Sequence, residues 1–96
     1  MIEISIFEKT GSFAENKDVA REFRLKKILP ALELNQEIAI DFDGVNSATQ
    51  SFIHALLSDI IRKKGISILD KISFKNCNET VKKIISIVVE YMQESV

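Results

Sequence analysis

Isoleucine alternates with polar residues at the start of the chain. Ile2, Ile4 and Ile6 flank Glu3 and Ser5, the pattern of a strand with one face in a core and the other partly wet. Thr10-Gly11-Ser12 ends it. From about Asn16 to Leu29 the period lengthens: Val19, Ala20 and Phe23 recur at helical spacing, while Arg21, Glu22, Arg24 and Lys26 fill the other faces. Asn16, or Ser12 with Glu15 as its capping-box partner, opens this helix. Pro30 has no amide hydrogen and disfavours helical geometry in Leu29, so the helix is expected to end or kink there.

Ile38-Ala39-Ile40-Asp41-Phe42 is almost continuously apolar, which fits a central strand covered on both faces. Gly44 breaks it. Ser47-Ala48-Thr49-Gln50 has capping-box form, a hydroxyl followed three residues on by an amide, and predicts a helix reaching about Lys64. Phe52, Ile53, Leu56 and Ile60 form its inner side. Arg62, Lys63 and Lys64 suit its negative end, and Gly65 is the expected stop. Residues 66–71 fit either a short strand or a helical turn. Ile72-Ser73-Phe74 reads as a further strand, closed by Lys75-Asn76-Cys77-Asn78. Beyond it Val81, Ile84, Ile85, Val88 and Met92 share one face of a last helix. The expected class is α/β: one domain over residues 1–96, with a small mostly parallel sheet and about three helices in the order β-α-β-α-β-α.

Composition narrows the function classes. With 96 residues and 46% hydrophobic content the chain is long enough for one core, but too short for inserted active-site subdomains. Thirteen basic against fourteen acidic residues give no reason to expect nucleic acid or an anionic membrane as partner. The lone Cys77 forms no internal disulfide, and neither a cleavable signal nor a membrane-spanning apolar run is present, so a cytoplasmic location is expected. The glycines are too dispersed for a phosphate-cradling loop. One histidine and one cysteine do not make a zinc site, and no cofactor is expected.

Two stretches carry candidate chemistry. Asp41-Phe42-Asp43-Gly44-Val45 resembles the first motif of haloacid-dehalogenase-type phosphotransferases, in which one aspartate attacks phosphorus and a second serves as acid and base beside magnesium. No later acidic pair is placed to complete that site, so a magnesium-dependent phosphotransferase using Asp41 and Asp43 stands as the alternative. The other stretch is the entrance to the second helix, where Ser47, Thr49 and Ser51 lie in or beside the first turn. A phosphoryl group there meets free amides and adds about 1.5 to 2 negative charges to a contact surface.

"IAIDFDGVNSATQSFIHALLSDI" followed by "ISFKNCNETVKKIISIV" resembles the STAS-like family of short bacterial proteins of unknown function. Asp41, Phe42, Val45, Ser51 and Phe52 carry the likeness, with Asn76 and the last helix matching the tail. That family is similar in turn to the STAS domains of anti-sigma-factor antagonists. The likeness implies partner switching with a serine kinase of histidine-kinase-like ATPase fold, and a phosphorylated serine at the start of the second helix. Anchored on Gly44-Val45, the antagonists' Asp-Ser-Ser-Gly falls on Thr49-Gln50-Ser51-Phe52, so Gln50 stands where the phosphoserine is implied and Ser51, Thr49 or Ser47 must serve instead. The expectation is a non-catalytic regulatory module, monomeric or homodimeric. It docks a histidine-kinase-like ATPase or an anti-sigma-like regulator through Asp43, Asn46, Ser47, Thr49 and Ser51, with His54 on the exposed continuation.

Overall fold

The computed structural model describes residues 1–94. In chain order the elements are β1 (Ile2–Ser5), α1 (Phe7–Thr10), β2 (Phe13–Ala14), α2 (Lys17–Phe23), α3 (Leu29–Glu33), β3 (Ile38–Asp41), β4 (Ser47–Ala48), α4 (Gln50–Lys64), β5 (Ile72–Lys75) and α5 (Glu79–Glu94). A π turn, Arg24–Ile28, joins α2 to α3, and a 3-10 segment, Ile66–Lys71, leads into β5. The class is mixed α/β with a small parallel sheet, as the sequence pattern indicates. Among the described residues the helices number five, and a second sheet of two very short strands was not expected.

The main sheet runs β1-β3-β5, all parallel. Its register sets Ile2, Ile38 and Ile72 abreast, then Ile4, Ile40 and Phe74, so one face is apolar and faces the core. The other face carries Glu3, Ser5, Asp41, Ser73 and Lys75 around the fully buried Ala39. β3 is therefore covered on both faces, but by different means. Ile38 and Ile40 meet the core, whereas Ala39 shares the other face with the 2.8 Å Lys75–Glu3 ion pair, which joins the two outer strands across β3.

α4 contributes the broadest apolar surface, burying Phe52, Ile53, Leu56, Leu57, Ile60 and Ile61. α5 turns Val81, Ile85, Val88 and Met92 onto the same core. Gly65, at φ +83°, ends α4 and donates its N–H to the Ile61 carbonyl at 2.7 Å. No helix of the described residues is long and apolar enough to cross a membrane.

Pro30 does not end the second helical run. Leu29 keeps helical angles (φ −59°, ψ −45°) and donates to Arg24 O, five residues back, so the helix widens by one π turn before the proline and then resumes. Widening moves the preceding carbonyls off the proline ring, which is how the expected break is avoided. From this turn Arg24 reaches α4: Nη1 donates to the Ala55 carbonyl at 2.7 Å and Nη2 lies 3.4 Å from Asp59. Its side chain is 11% exposed, and Nε is buried without a partner.

The β3–β4 connection is set by Gly44. Val45 N–H donates to Phe42 O at 2.9 Å, and Gly44 takes φ +85° at the third position of this turn while Asp43 does not take a positive φ. That is the type II pattern, which favours glycine there. A Cβ at Gly44 would also meet Phe7 Cδ2 at 2.8 Å.

Two stability tests follow from these contacts. Arg24→Ala should cost about 2–3 kcal/mol, and Arg24→Met, which keeps the packed stem and removes the unpaired Nε, about 1 kcal/mol, by urea denaturation. Gly44→Ala should cost about 1–3 kcal/mol. Adding Phe7→Ala should return the steric part and leave about 1 kcal/mol from the backbone angle.

Candidate functional site at the entrance to α4

β2 and β4 decide where α4 begins. Phe13 pairs with Ser47 and Ala14 with Ala48, Ser12 O accepts from Asn46 and Ser47 N–H (2.7 and 3.3 Å), and Ala14 O accepts from Thr49 N–H at 3.0 Å. Ser47 therefore belongs to a strand and is half-buried, so the capping box expected at Ser47 and Gln50 does not form. Thr49 caps instead, its Oγ1 accepting from Phe52 N–H at 3.1 Å. The same pair of strands leads into α2, where Asn16 Oδ1 accepts from Asp18 and Val19 N–H (2.8 and 3.3 Å) and Ser12 takes no capping role.

The expected site residues divide into two groups. Asp43 and Asn46 are exposed on the turn before β4. This turn is braced from outside. Asp41 Oδ1 accepts from Asp43 N–H and from Asn76 Nδ2, both at 2.9 Å. Asn78 Nδ2 donates to Asn46 O at 2.8 Å while Asn78 Oδ1 accepts from Val81 N–H at 2.8 Å, so one side chain caps α5 and fastens it to the turn. Asn76 takes φ +57°, a conformation that asparagine tolerates. Asp41 thus orders a turn, and the Asn76 amide, then the Asp43 N–H, hold its carboxyl below the ordinary value of 3.8, against a weaker effect of burial and with the smallest help from the Lys75 charge. Among the described residues no group of three or more His, Cys, Asp or Glu side chains is placed to hold a metal ion.

Ser51 and His54 line a separate cleft of about 460 Å³, whose first wall also includes Lys17, Gln50 and Ala55. Its second wall is α5, through Ile87, Val88 and Tyr91. His54 and Tyr91 rings meet tilted, with centroids 6.3 Å apart. Ser51 is exposed in the first turn of α4, and neither it, Gln50 nor Lys17 has a side-chain hydrogen bond or ion pair among the described residues. The structure therefore brings Ser51 and His54 together and leaves Asp43, Asn46, Ser47 and Thr49 out of this cleft. Tyr91 and Ile87 were not among the expected site residues, although their four-residue spacing outside the core stripe marks a second face of α5. Met92, expected on the core stripe of this helix, is buried there. Cys77 is partly buried, and burial pushes its thiol up, which keeps it protonated at neutral pH.

The sequence model of a family described as a STAS-like domain of unknown function matches residues 19–82. The chain belongs to that family. No curated protein and no solved structure matches it. The matched stretch of this STAS-like domain holds the braced turn, the Thr49 cap and the α4 wall of the cleft, while Ile87 and Tyr91 follow it in sequence.

The lowered carboxyl of Asp41 gives a pH test. A depressed folded value means stability that is present above pH 3.8 and lost as pH falls through the lower folded value. Asp41→Asn keeps an acceptor oxygen for both donors and removes the charge. The wild-type advantage in Tm over Asp41→Asn should therefore shrink below pH 3.8, from a solvent-screened contribution under about 1 kcal/mol.

Proposed function

We propose that this STAS-like domain is a non-catalytic regulatory module that docks a partner protein at the start of α4 and is switched by phosphorylation of Ser51. Its partner is a histidine-kinase-like ATPase or an anti-sigma-like regulator, the pairing implied by the likeness to anti-sigma-factor antagonists. The observation that carries this reading is the position of Ser51, an exposed and unpaired hydroxyl on the first turn of a 15-residue helix, at the rim of a cleft with an apolar wall.

The neighbouring hydroxyls suit the role less well. Thr49 Oγ1 is half-buried and holds the helix cap, and Ser47 is half-buried in β4. Gln50, in the antagonists' phosphoserine position, has no hydroxyl, and Ser51 is the next residue. A phosphoryl group on Ser51 adds about 1.5 to 2 negative charges where free amides and the helix dipole favour them. The domain keeps its fold, and only the surface offered to the partner changes sign.

Ser51→Asp should accordingly raise stability by about 0.3–1 kcal/mol or leave it unchanged in thermal circular dichroism. In affinity capture on immobilised wild-type and Ser51→Asp proteins, read by mass spectrometry, an ATPase-type kinase or anti-sigma-like regulator should be retained by the wild type alone. Equal recovery of that partner on both sinks the proposal. So does a Ser51→Asp protein that unfolds, because Ser51 would then be structural.

A further inference from the structure

We infer that the cleft between the first two turns of α4 and the third and fourth turns of α5 takes an acidic amphipathic segment of the partner protein. Its apolar side chains pack on Ile87, Val88 and Tyr91, and a carboxylate meets Lys17 and His54. This inference rests on the docking function proposed above and adds the chemistry of what docks.

Charge complementarity carries it. Acidic residues number fourteen in the chain, yet none lines this cleft among the described residues. Lys17, like several other surface lysines, has no ion-pair partner among the described residues, and what distinguishes it is its place in a cleft that no carboxylate lines. The cleft therefore carries uncompensated positive charge, and a lysine-rich segment would be repelled.

Shape and polarity argue for a segment of macromolecule. Ile87 and Tyr91 stand one helical turn apart, 39% and 57% exposed, on a ridge of α5 that the core stripe does not use. A partner helix with apolar residues at i, i+3, i+4 and i+7 lays such a face into the hollow beside a ridge of this kind. The cleft is half-open to solvent, so it receives side chains from a passing segment without enclosing a whole ligand.

The test uses the full chain and three probes: a synthetic amphipathic helical peptide with leucine on one face and glutamate on its flanks, the same peptide with lysine for glutamate, and benzoate as a small apolar carboxylate. In ¹H–¹⁵N spectra the glutamate peptide should shift the amides of Ser51, Ala55, Ile87 and Tyr91 saturably, and the lysine peptide should not. Lys17→Glu, at an exposed first helical position where an acid is tolerated, should weaken the glutamate peptide about tenfold or more. No saturable shift at those residues, equal binding of the lysine peptide, or benzoate reproducing the shifts at the same concentration each overturns the inference. If Ser51→Asp loses the native partner while the glutamate peptide does not bind, the docking function stands and this inference alone falls. If the peptide binds in the cleft while Ser51→Asp keeps the native partner, the cleft's chemistry stands and the Ser51 switch falls.

Discussion

Two paired residues on each of two short strands set the geometry on which the rest depends. Because Ser12 and Ala14 carbonyls claim the N–H groups of Asn46, Ser47 and Thr49, the backbone stays extended through Ala48 and helix formation waits until Thr49. The ladder is short, but it acts at the point where α4 must begin, and α4 buries more apolar side chains than any other element among the described residues. Starting the helix at Ser47 would strip that ladder of its donors and move Ser51 from the first turn, where amides are free, to the second, where they are bonded. The same strand pair leads into α2, so Asn16 and Thr49 cap neighbouring helices and Lys17 comes to the cleft beside Ser51.

Legibility in the sequence followed the length of each element. Long periodic segments declared themselves: the Ile38–Asp41 strand, the inner face of α4, its stop at Gly65 and the Val81–Met92 stripe need only local pattern and one strong end signal. The two-residue strands carried no such signal, and Ser47-Ala48-Thr49-Gln50 satisfies the capping-box pattern as well as the true cap does, so only tertiary pairing separates them. At Pro30 an end or a kink was expected, and a local π widening is what forms. The proline's local rule is sound, yet a π turn absorbs the clash and lets Arg24 reach the Ala55 carbonyl on a helix far away in sequence.

The candidate site was half legible for the same reason. Ser51 and His54 are visible as polar positions at a helix start, but the residues opposite them, Ile87 and Tyr91, come from the last helix and meet them only through packing. Asp43 and Asn46 looked like part of one lip because they are close in sequence. Folding gives that turn another task, since Asp41, Asn76 and Asn78 tie it to β5 and to the start of α5 with each polar side chain satisfied at short distance. These bonds engage the backbone of Asp43 and Asn46, whose own side chains stay exposed on the turn, apart from the cleft. What sets the cleft apart is that its unpaired polar groups stand beside an apolar wall.

On the proposed function, this separation fixes the kind of switch the domain can be. A ligand or modification shifts a conformational equilibrium only by interacting differently with two states of the protein. Ser51 makes no side-chain hydrogen bond or ion pair among the described residues, and its neighbours in the first turn of α4 are held by the Thr49 cap and the β2–β4 ladder irrespective of its charge. Phosphate there breaks no side-chain bond of Ser51 among the described residues. Its effect must be delivered directly, by placing negative charge in a cleft that otherwise holds uncompensated positive charge, and the braced turn beside it keeps α5 in place while that happens. Regulation of this form costs the fold nothing and is read entirely at the contact surface.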